Sequence, residues 1–329
     1  MNSVGIRAAA ITALFALAAS LNASAQVGGA GSTLARDLMS RWSQTFGARV
    51  GGVVYEPVGS SRGIEHARRG EVDFGVSDLP LTAVALSQSN LRQLPLAATA
   101  VAVVVNLPEL ENKELRLSGD VLATIFSGKV TTWDHSTIRG INPGLKLPNR
   151  EITPIWRADG SGQSYVLSSF LTRRNGTWAR SIGITQQFSG LPGKGVVGGA
   201  AMLAAVRATP GAIGYEGLGA ARGAGLTMVS LRNASDQYVS PSEATVTEAI
   251  SKARWSFDIA ENAADLDASP GAGTYPMSAV IYAVIPNASS NAKKTSSYLI
   301  DAVQRGDAAV AASGFVALPA AVKTAISPK

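Results

Sequence analysis

The feature that most constrains the fold is an apolar run that leads through a glycine-bearing polar turn into a helix. Residues 152–156 are largely apolar and strand-like, residues 157–164 are small or polar, and the apolar residues of 165–171 fall at helical spacing. Strand-like and helical segments alternate in this way along the chain. This alternation is typical of an α/β protein with mostly parallel sheets, in which ligands bind beyond the carboxyl ends of the strands.

The turn at 157–164 has the chemistry of an anion site. A helix start presents unpaired backbone N–H groups and a partial positive charge, and small residues let an anion approach them. Ser161 adds a hydroxyl, and Arg157 adds a forked, permanently charged donor. Asp159 is either a local turn carboxylate or the partner that holds the guanidinium of Arg157 for a ligand.

Two further turns place small residues and hydroxyls at a helix start. Ser32 and Thr33 precede an amphipathic segment at 34–46, and residues 59–61 precede a short helical segment. One such turn is usually an ordinary helix cap. Three of them, with Arg157 beside the third, favour a set of converging anion donors.

Asp78 ends a strand-like segment at 71–78 and allows two interpretations. It is either the N-cap of the helix that follows or a carboxylate inside an anion site. A carboxylate there would repel a fully ionised anion and tolerate one that can donate a proton to it. At neutral pH phosphate keeps a proton and sulfate does not, so the second interpretation predicts selection of phosphate.

The N-terminal residues carry an export signal. Arg7 precedes an apolar stretch at 8–19 and the A-x-A motif of Ala23–Ala25, so we expect a signal peptide over 1–25, cleaved after Ala25. The absence of cysteine excludes disulfides, thiolate metal sites and a lipid-anchored cysteine. We therefore expect a soluble periplasmic protein, in a compartment where ATP-driven chemistry is disfavoured.

Size and charge limit the domains and partners further. The 329 residues suffice for two domains of ordinary size. The formal net charge of +6 is mild, and the few basic doublets do not interleave with aromatic residues. This pattern argues against nucleic-acid binding and favours a solvated surface.

Catalytic patterns are lacking in the sequence. Its two histidines, His66 and His135, have neighbours that do not suggest a base for a Ser161 nucleophile. No G-x-S-x-G, phosphate-binding P-loop or H-E-x-x-H motif occurs. We expect neither a metal site nor a cofactor, and we do not expect an enzyme.

Taken together, these turns resemble the periplasmic phosphate-binding proteins of high-affinity phosphate ABC importers. The resemblance covers essentially the whole mature chain, and the turn at 157–162 is its most specific part. It rests on the following segments: 29–33, 59–61, 72–78, 125–129 with Trp133, 142–145, 157–162, 193–195 and 210–215.

The resemblance implies an α/β fold of two lobes, with two mixed, mostly parallel sheets flanked by helices and two crossovers between the lobes. Lobe 1 would consist of 26–97 and 276–329, and lobe 2 of 98–275. Inorganic phosphate would lie dehydrated in the cleft between them. A monomeric receptor would then deliver it to the inner-membrane permease subunits of an ABC transporter.

The resemblance also implies a role for each residue of the site. Asp78 would accept the proton of phosphate, Arg157 would pair with the anion, and Asp159 would steady Arg157. The donors would be the following: Thr33, the backbone of Leu34, Ser60, Ser161, and the backbone of Gly162 and Gln163.

The chain departs from the family pattern at three positions. Leu34 replaces a common phenylalanine, which leaves a backbone contact unchanged. Arg62 replaces a usual glycine beside the second turn, and Gln163 replaces a threonine that often contacts phosphate. The last two changes bear on affinity and on the details of the shell.

Two alternative functions stay open. A secreted phosphatase of the related phosphate-binding-like group would need a nucleophile or metal set that the sequence does not reveal. A binding protein for another oxyanion is the second alternative. Asp78 argues against sulfate and molybdate, whereas arsenate is protonated like phosphate.

Overall fold

A computed structural model of the chain describes residues 26–111, 113–256, 263–266 and 269–327. The expected signal peptide, 1–25, lies outside these residues. None of the described helices is long and apolar enough to cross a membrane.

The described residues alternate between strands and helices, as the sequence pattern predicts. The strands are β1 Val27–Gly31, β2 Val53–Glu56, β3 Phe74–Ser77, β4 Leu91–Val105, β5 Arg116–Leu117, β6 Thr153–Arg157, β7 Lys194–Val196, β8 Ala212–Gly217, β9 Thr227–Met228, β10 Ser230–Arg232, β11 Tyr238–Val239, β12 Arg254–Ser256, β13 Ala263–Asp265 and β14 Ser278–Pro286. The helices are α1 Arg36–Phe46, α2 Ser60–Arg68, α3 Ala83–Gln88, α4 Gly119–Phe126, α5 Ser136–Ile141, α6 Gly162–Arg174, α7 Gly176–Ser181, α8 Gly199–Ala208, α9 Leu218–Gly223, α10 Glu243–Lys252, α11 Ala292–Arg305, α12 Asp307–Ala312 and α13 Ala320–Ala325.

Nine strands form one mixed sheet. Its order is β2-β1-β3-β14-β4-β8-β6-β7, and β9 pairs with β4 beside this path. The strands β1 to β3 are parallel to each other, and so are β6 to β8. The central pairs β3–β14, β14–β4 and β4–β8 are antiparallel. The α/β class and the mixed sheet are confirmed, but the two expected sheets are joined into one through β4.

Strand β4 joins the two halves because it is long and apolar throughout. Its first ten residues, Leu91–Ala100, pair with β14, and Val101–Val105 pair with β8. Nearly all of its side chains are buried. A strand covered on both faces reads as a continuous apolar run, and residues 96–98 and 100–105 are all apolar.

The register brings the carboxyl ends of the two parallel groups to the middle of β4. Ser77, the last residue of β3, lies opposite Tyr282 of β14, which lies opposite Pro95 of β4. Gly217, the last residue of β8, lies opposite Val101 of β4. The groups β1–β3 and β6–β8 therefore point their carboxyl ends toward each other, and the turns after these strands meet between them.

Helix α1 buries one apolar face and packs against helices near the C-terminus. Leu38, Met39, Trp42 and Phe46 are buried, because their spacing puts them on one helix face. This helix packs against α11 and α12. Helices α11 and α12, near the C-terminus, thus lie beside the first α-helix.

Candidate anion-binding site

Arg157 ends strand β6 and is held by Asp159 in one orientation. Its side chain is only 1% exposed, and its Nε and Nη2 donate to Asp159 Oδ1 and Oδ2 at 2.6 and 2.5 Å. Burial works to lower the pKa of Arg157, but the hydrogen bonds and charge of Asp159 outweigh it and raise that pKa. Asp159, in spite of its own partial burial, has its pKa lowered by Arg157. The pair therefore fixes the guanidinium in one orientation and leaves one donor edge, with Nη1, for another acceptor.

That remaining edge of Arg157 faces Gln163 on helix α6. Nη1 of Arg157 donates to Gln163 Oε1 at 2.6 Å, and Ser161 Oγ donates to the same oxygen at 3.3 Å. The amide nitrogen of Gln163 donates to Glu216. The amide oxygen thus lies where a guanidinium and a hydroxyl converge, and this is the position that an oxyanion oxygen would take.

Asp78 reaches the site from the end of β3. Ser60 Oγ, at the start of α2, donates to Asp78 Oδ1 at 2.6 Å, and both side chains are buried. Helix α3 is instead capped by Thr82, whose side chain accepts from the backbone N–H of Ala85. The interpretation of Asp78 as a helix N-cap is therefore wrong.

Gly162, the first residue of α6, lies directly against Asp78. A β-carbon at this position would be 2.4 Å from Asp78 Cγ and 2.6 and 2.8 Å from the two carboxylate oxygens. A residue without a side chain is required at such a distance. The turn after β6 and the turn after β3 therefore meet at this glycine.

Another contact joins the turn after β2 to the turn after β6. Gly59, with φ of +100°, precedes α2, and a β-carbon there would be 3.0 Å from the carbonyl oxygen of Gly160. Beside it, Ser61 Oγ donates to Gln186 Oε1 at 2.5 Å. Arg62 lines two clefts in this region, with volumes of about 770 and 1010 Å³. The side chains below are nearly inaccessible to solvent and are called the buried cluster: Ser60, Asp78, Arg157, Ser161 and Gln163.

Thr33 and Leu34 lie beside this cluster, in the 3₁₀ turn Thr33–Ala35 that follows β1. Leu34 packs at the end of β8, since a β-carbon at Gly217 would be 2.1 Å from Leu34 Cδ1. Both residues line the larger cleft together with Glu216. The structure thus brings the first turn to the cluster through packing.

Glu216 is a site residue that the sequence analysis missed. It lies near the end of β8, is 2% exposed, and accepts from its neighbour Gly217 N–H at 2.8 Å and from the Gln163 amide through Oε1. Oε2 is buried and has no hydrogen-bond partner among the described residues. Burial raises the pKa of Glu216 to about 7. A glutamate at the end of an otherwise apolar strand was the available signal, since such an end predicts a ligand site.

The described residues contain no group of three or more His, Asp or Glu side chains that could hold a metal ion. Together with Glu216, the buried cluster offers one guanidinium, two hydroxyls, one amide and two carboxyl groups. These belong to the following residues: Arg157, Ser60, Ser161, Gln163, Asp78 and Glu216. Such a set can bind an oxyanion that carries a proton.

Comparison with known proteins agrees with this chemistry. A family model described as a PBP superfamily domain matches residues 17–311. The phosphate-binding protein PstS of Xylella fastidiosa is 34% identical over 277 residues, which are 82% of this chain and 74% of that protein. The phosphate-binding protein PstS of Haemophilus influenzae is 32% identical over 302 residues, which are 91% of this chain and 90% of that protein. This chain belongs to the PBP superfamily and to its PstS family.

Solved structures show the same fold as this PBP superfamily member. A high-affinity periplasmic phosphate-binding protein bound with phosphate aligns with a TM-score of 0.73 at 23% identity, over 92% of both chains. An ABC-type phosphate transport receptor from Vibrio cholerae aligns with a TM-score of 0.59 at 18% identity, over 89% of this chain and all of that one (100%). The expected two-lobed fold is confirmed.

Proposed function

We propose that this protein captures inorganic phosphate between its two lobes and delivers it to the permease of an ABC importer. The observation that carries the proposal is that the turn bearing Arg157 and the turn bearing Asp78 meet at Gly162. Arg157, held by Asp159, attracts an oxyanion from one side. Asp78, held by Ser60, meets it from the other side and tolerates only an oxyanion that still has a proton. Phosphate meets both conditions at neutral pH, and sulfate fails the second.

The relatives support this function. The curated proteins with 32 and 34% identity are named phosphate-binding protein PstS. One structural neighbour is described as a periplasmic protein bound with phosphate, and another as an ABC-type phosphate transport receptor. We therefore place this protein in the periplasm as a phosphate receptor.

In the bound state Asp78 accepts the phosphate proton, Arg157 pairs with the anion, and Asp159 steadies Arg157. The side-chain hydroxyls and backbone N–H groups of the three turns complete the shell. These donors are Thr33, Leu34 N–H, Ser60, Ser161, Gly162 N–H and Gln163 N–H.

Phosphate binding changes two sets of internal hydrogen bonds. Ser60 has one hydroxyl proton, which turns from Asp78 Oδ1 to phosphate as the anion binds. The Gln163 amide oxygen accepts from Arg157 Nη1 and from Ser161 Oγ. We infer that a phosphate oxygen takes over both donors, because a charged acceptor forms the stronger bonds. Gln163 has enough rotatable bonds to withdraw its amide while its backbone N–H stays in the shell.

The lobe boundaries follow the two crossovers through the central strands. Residues 26–97 and 276–329 form lobe 1, and 98–275 form lobe 2. The packing of α1 against α11 and α12, and the change of partner of β4 from β14 to β8, support this division. The protein acts as a monomer, cleaved after Ala25, and its partners are the inner-membrane permease subunits.

The receptor function is favoured over a phosphatase. Ser161 Oγ donates to Gln163, and no histidine or metal cluster accompanies it among the described residues. His66 contacts Glu71 and His135 contacts Thr137. A nucleophilic serine needs a neighbouring base, so the cluster fits binding and not turnover.

Calorimetric titration of the mature protein tests the proposed function. We expect saturable one-to-one binding of phosphate and no heat from sulfate at the same concentrations. Binding of both anions, or of neither, contradicts the proposal. Arsenate in a third titration measures discrimination between protonated oxyanions, and release of phosphate from a phosphomonoester would instead identify an enzyme.

A further inference from the structure

Glu216 is a buried acid that lies in the site but has no role in the phosphate shell proposed above. Its side chain is 2% exposed, and one of its two oxygens lacks a hydrogen-bond partner among the described residues. An ionised carboxylate that is taken out of water needs more than the two N–H donors that Glu216 has. A neutral carboxylic acid fits this pocket better.

The groups that face Glu216 come from several elements and differ in their effect. Arg157 on β6 favours the ionised form, whereas Asp78 after β3 disfavours it. Tyr215, on the same strand, interacts electrostatically with Glu216. Burial is the largest effect, and the resulting pKa of about 7 leaves Glu216 half protonated near neutrality.

Two neighbours of Glu216 on other elements are uncharged. Ala102 of β4 pairs with Glu216 across the sheet. Gly199, at the start of α8, lies so close that a β-carbon there would be 2.2 Å from Glu216 Oε2. Neither residue supplies a cation that could compensate a second negative charge.

Gln163 connects this carboxyl to the anion donors. Its amide nitrogen donates to Glu216 Oε1, and its amide oxygen accepts from Arg157 Nη1 and Ser161 Oγ. An anion that takes over those donors brings a negative charge toward Glu216, and withdrawal of the Gln163 amide removes one of the two N–H donors to this carboxyl. The anion also offsets part of the positive charge of Arg157, and it is this charge that favours the ionised form of Glu216.

We propose that Glu216 takes up a proton from solvent when phosphate binds, so that capture of the anion is linked to protonation of this second carboxyl. The inference rests on the proposed function, since it needs phosphate at Arg157. Glu216 is thus a positioning residue, which acts on the bound anion through Gln163 and through its own charge. By linkage, phosphate affinity rises as the pH falls through the range in which Glu216 titrates, by at most about tenfold per pH unit from this group.

The test compares the mature wild-type protein with Glu216→Gln, which has the shape of the protonated acid and does not titrate. Phosphate itself titrates near neutrality, but this contribution is the same in both proteins and disappears from their difference. We expect the ratio of wild-type to variant affinity to fall between pH 6 and pH 8.5. Calorimetry at pH 7 in two buffers of different ionisation enthalpy should show that the wild-type protein takes up more protons on binding phosphate than the variant does.

If the phosphate affinities of the wild-type protein and the variant change in parallel with pH, and both take up equal numbers of protons, the inference is overturned. The proposed function stays intact in that case. Loss of phosphate binding by the wild-type protein at every pH would overturn both. If the variant does not fold, infrared difference spectra of wild-type protein with and without phosphate decide the question. A gain of protonated-carboxyl absorbance on binding, which persists in Asp78→Asn, supports the inference, and its absence from the wild-type spectrum refutes it.

Discussion

The carboxylate of Asp78 and the first residue of helix α6, Gly162, are in contact at a distance that leaves no room for a side chain. A β-carbon at Gly162 would lie 2.4 Å from Asp78 Cγ. This contact joins the turn after β3 to the turn after β6, and thus the two halves of the central sheet. Asp78, which we propose selects the anion, and the start of α6, which we propose attracts it, are therefore positioned by each other.

Gly162→Ala should weaken phosphate binding by about tenfold or more, because the added methyl group pushes Asp78 and α6 apart. Isothermal titration measures the effect. Gly140→Ala is the matched control, since a β-carbon at Gly140, also in a helix, meets no atom within 4 Å. Equal phosphate affinities of the two variants would contradict the importance of this contact.

Asp78→Asn should relax the rejection of sulfate. The amide keeps the shape of the side chain but removes the charge that repels a fully ionised anion, and it can donate a hydrogen bond to one. Competition between sulfate and phosphate, measured for wild-type and variant protein, gives the change in selectivity. An unchanged preference for phosphate would show that selection lies elsewhere in the site.

Asp159→Ala should lower both stability and phosphate affinity, since it leaves the guanidinium of Arg157 buried without its partner. The loss in the free energy of unfolding should be on the order of 3 kcal/mol. Asp37→Ala breaks an ion pair with Arg41 whose side chains are 59 and 44% exposed, and it should cost less than about 1 kcal/mol. Urea unfolding of both variants tests this contrast, and equal losses would argue against it.

Glu216 should make the phosphate-free protein less stable as the pH rises. Its pKa is raised from 4.5 to about 7 in the folded protein, so the folded state binds more protons than the unfolded state between these values. The contribution of Glu216 to the free energy of unfolding is therefore largest below pH 4.5. It falls by roughly 3 kcal/mol as the pH rises through 7. Urea unfolding at pH 5 and pH 8 should show this loss relative to Glu216→Gln. A constant difference between the two proteins would refute it.

Local features of the site could be predicted from the sequence. The pair Arg157 and Asp159 lies two residues apart in one turn, so its ion pair needs no knowledge of the rest of the fold. Helix α6 begins where the small residues of this turn predicted a helix start. The binding roles of the nine site residues stay predictions, although the structure brings Ser60, Asp78 and Arg157 into one buried region.

Other features depended on long-range register and could not be read locally. Whether Asp78 caps a helix or lies in the candidate site was undecided until its hydrogen bond with Ser60 and the Thr82 cap of α3 were known. Gln163 was assigned a backbone role, but its side chain bridges Arg157 and Glu216. Glu216 was missed because a single acid in an apolar strand reveals its partners only when neighbouring strands are in place.

The sequence by itself determined the elements: the alternation of strands and helices, the three helix starts rich in small residues, and the charged pair in the third of them. These follow from local periodicity and backbone chemistry. Only the tertiary structure decided which groups meet. The antiparallel pairing of β4 with β14 and β8 sets the carboxyl ends of two parallel groups against each other. The resulting burial from water raises the pKa of Glu216 and encloses Asp78 against the start of α6, where we propose that its charge selects the ion.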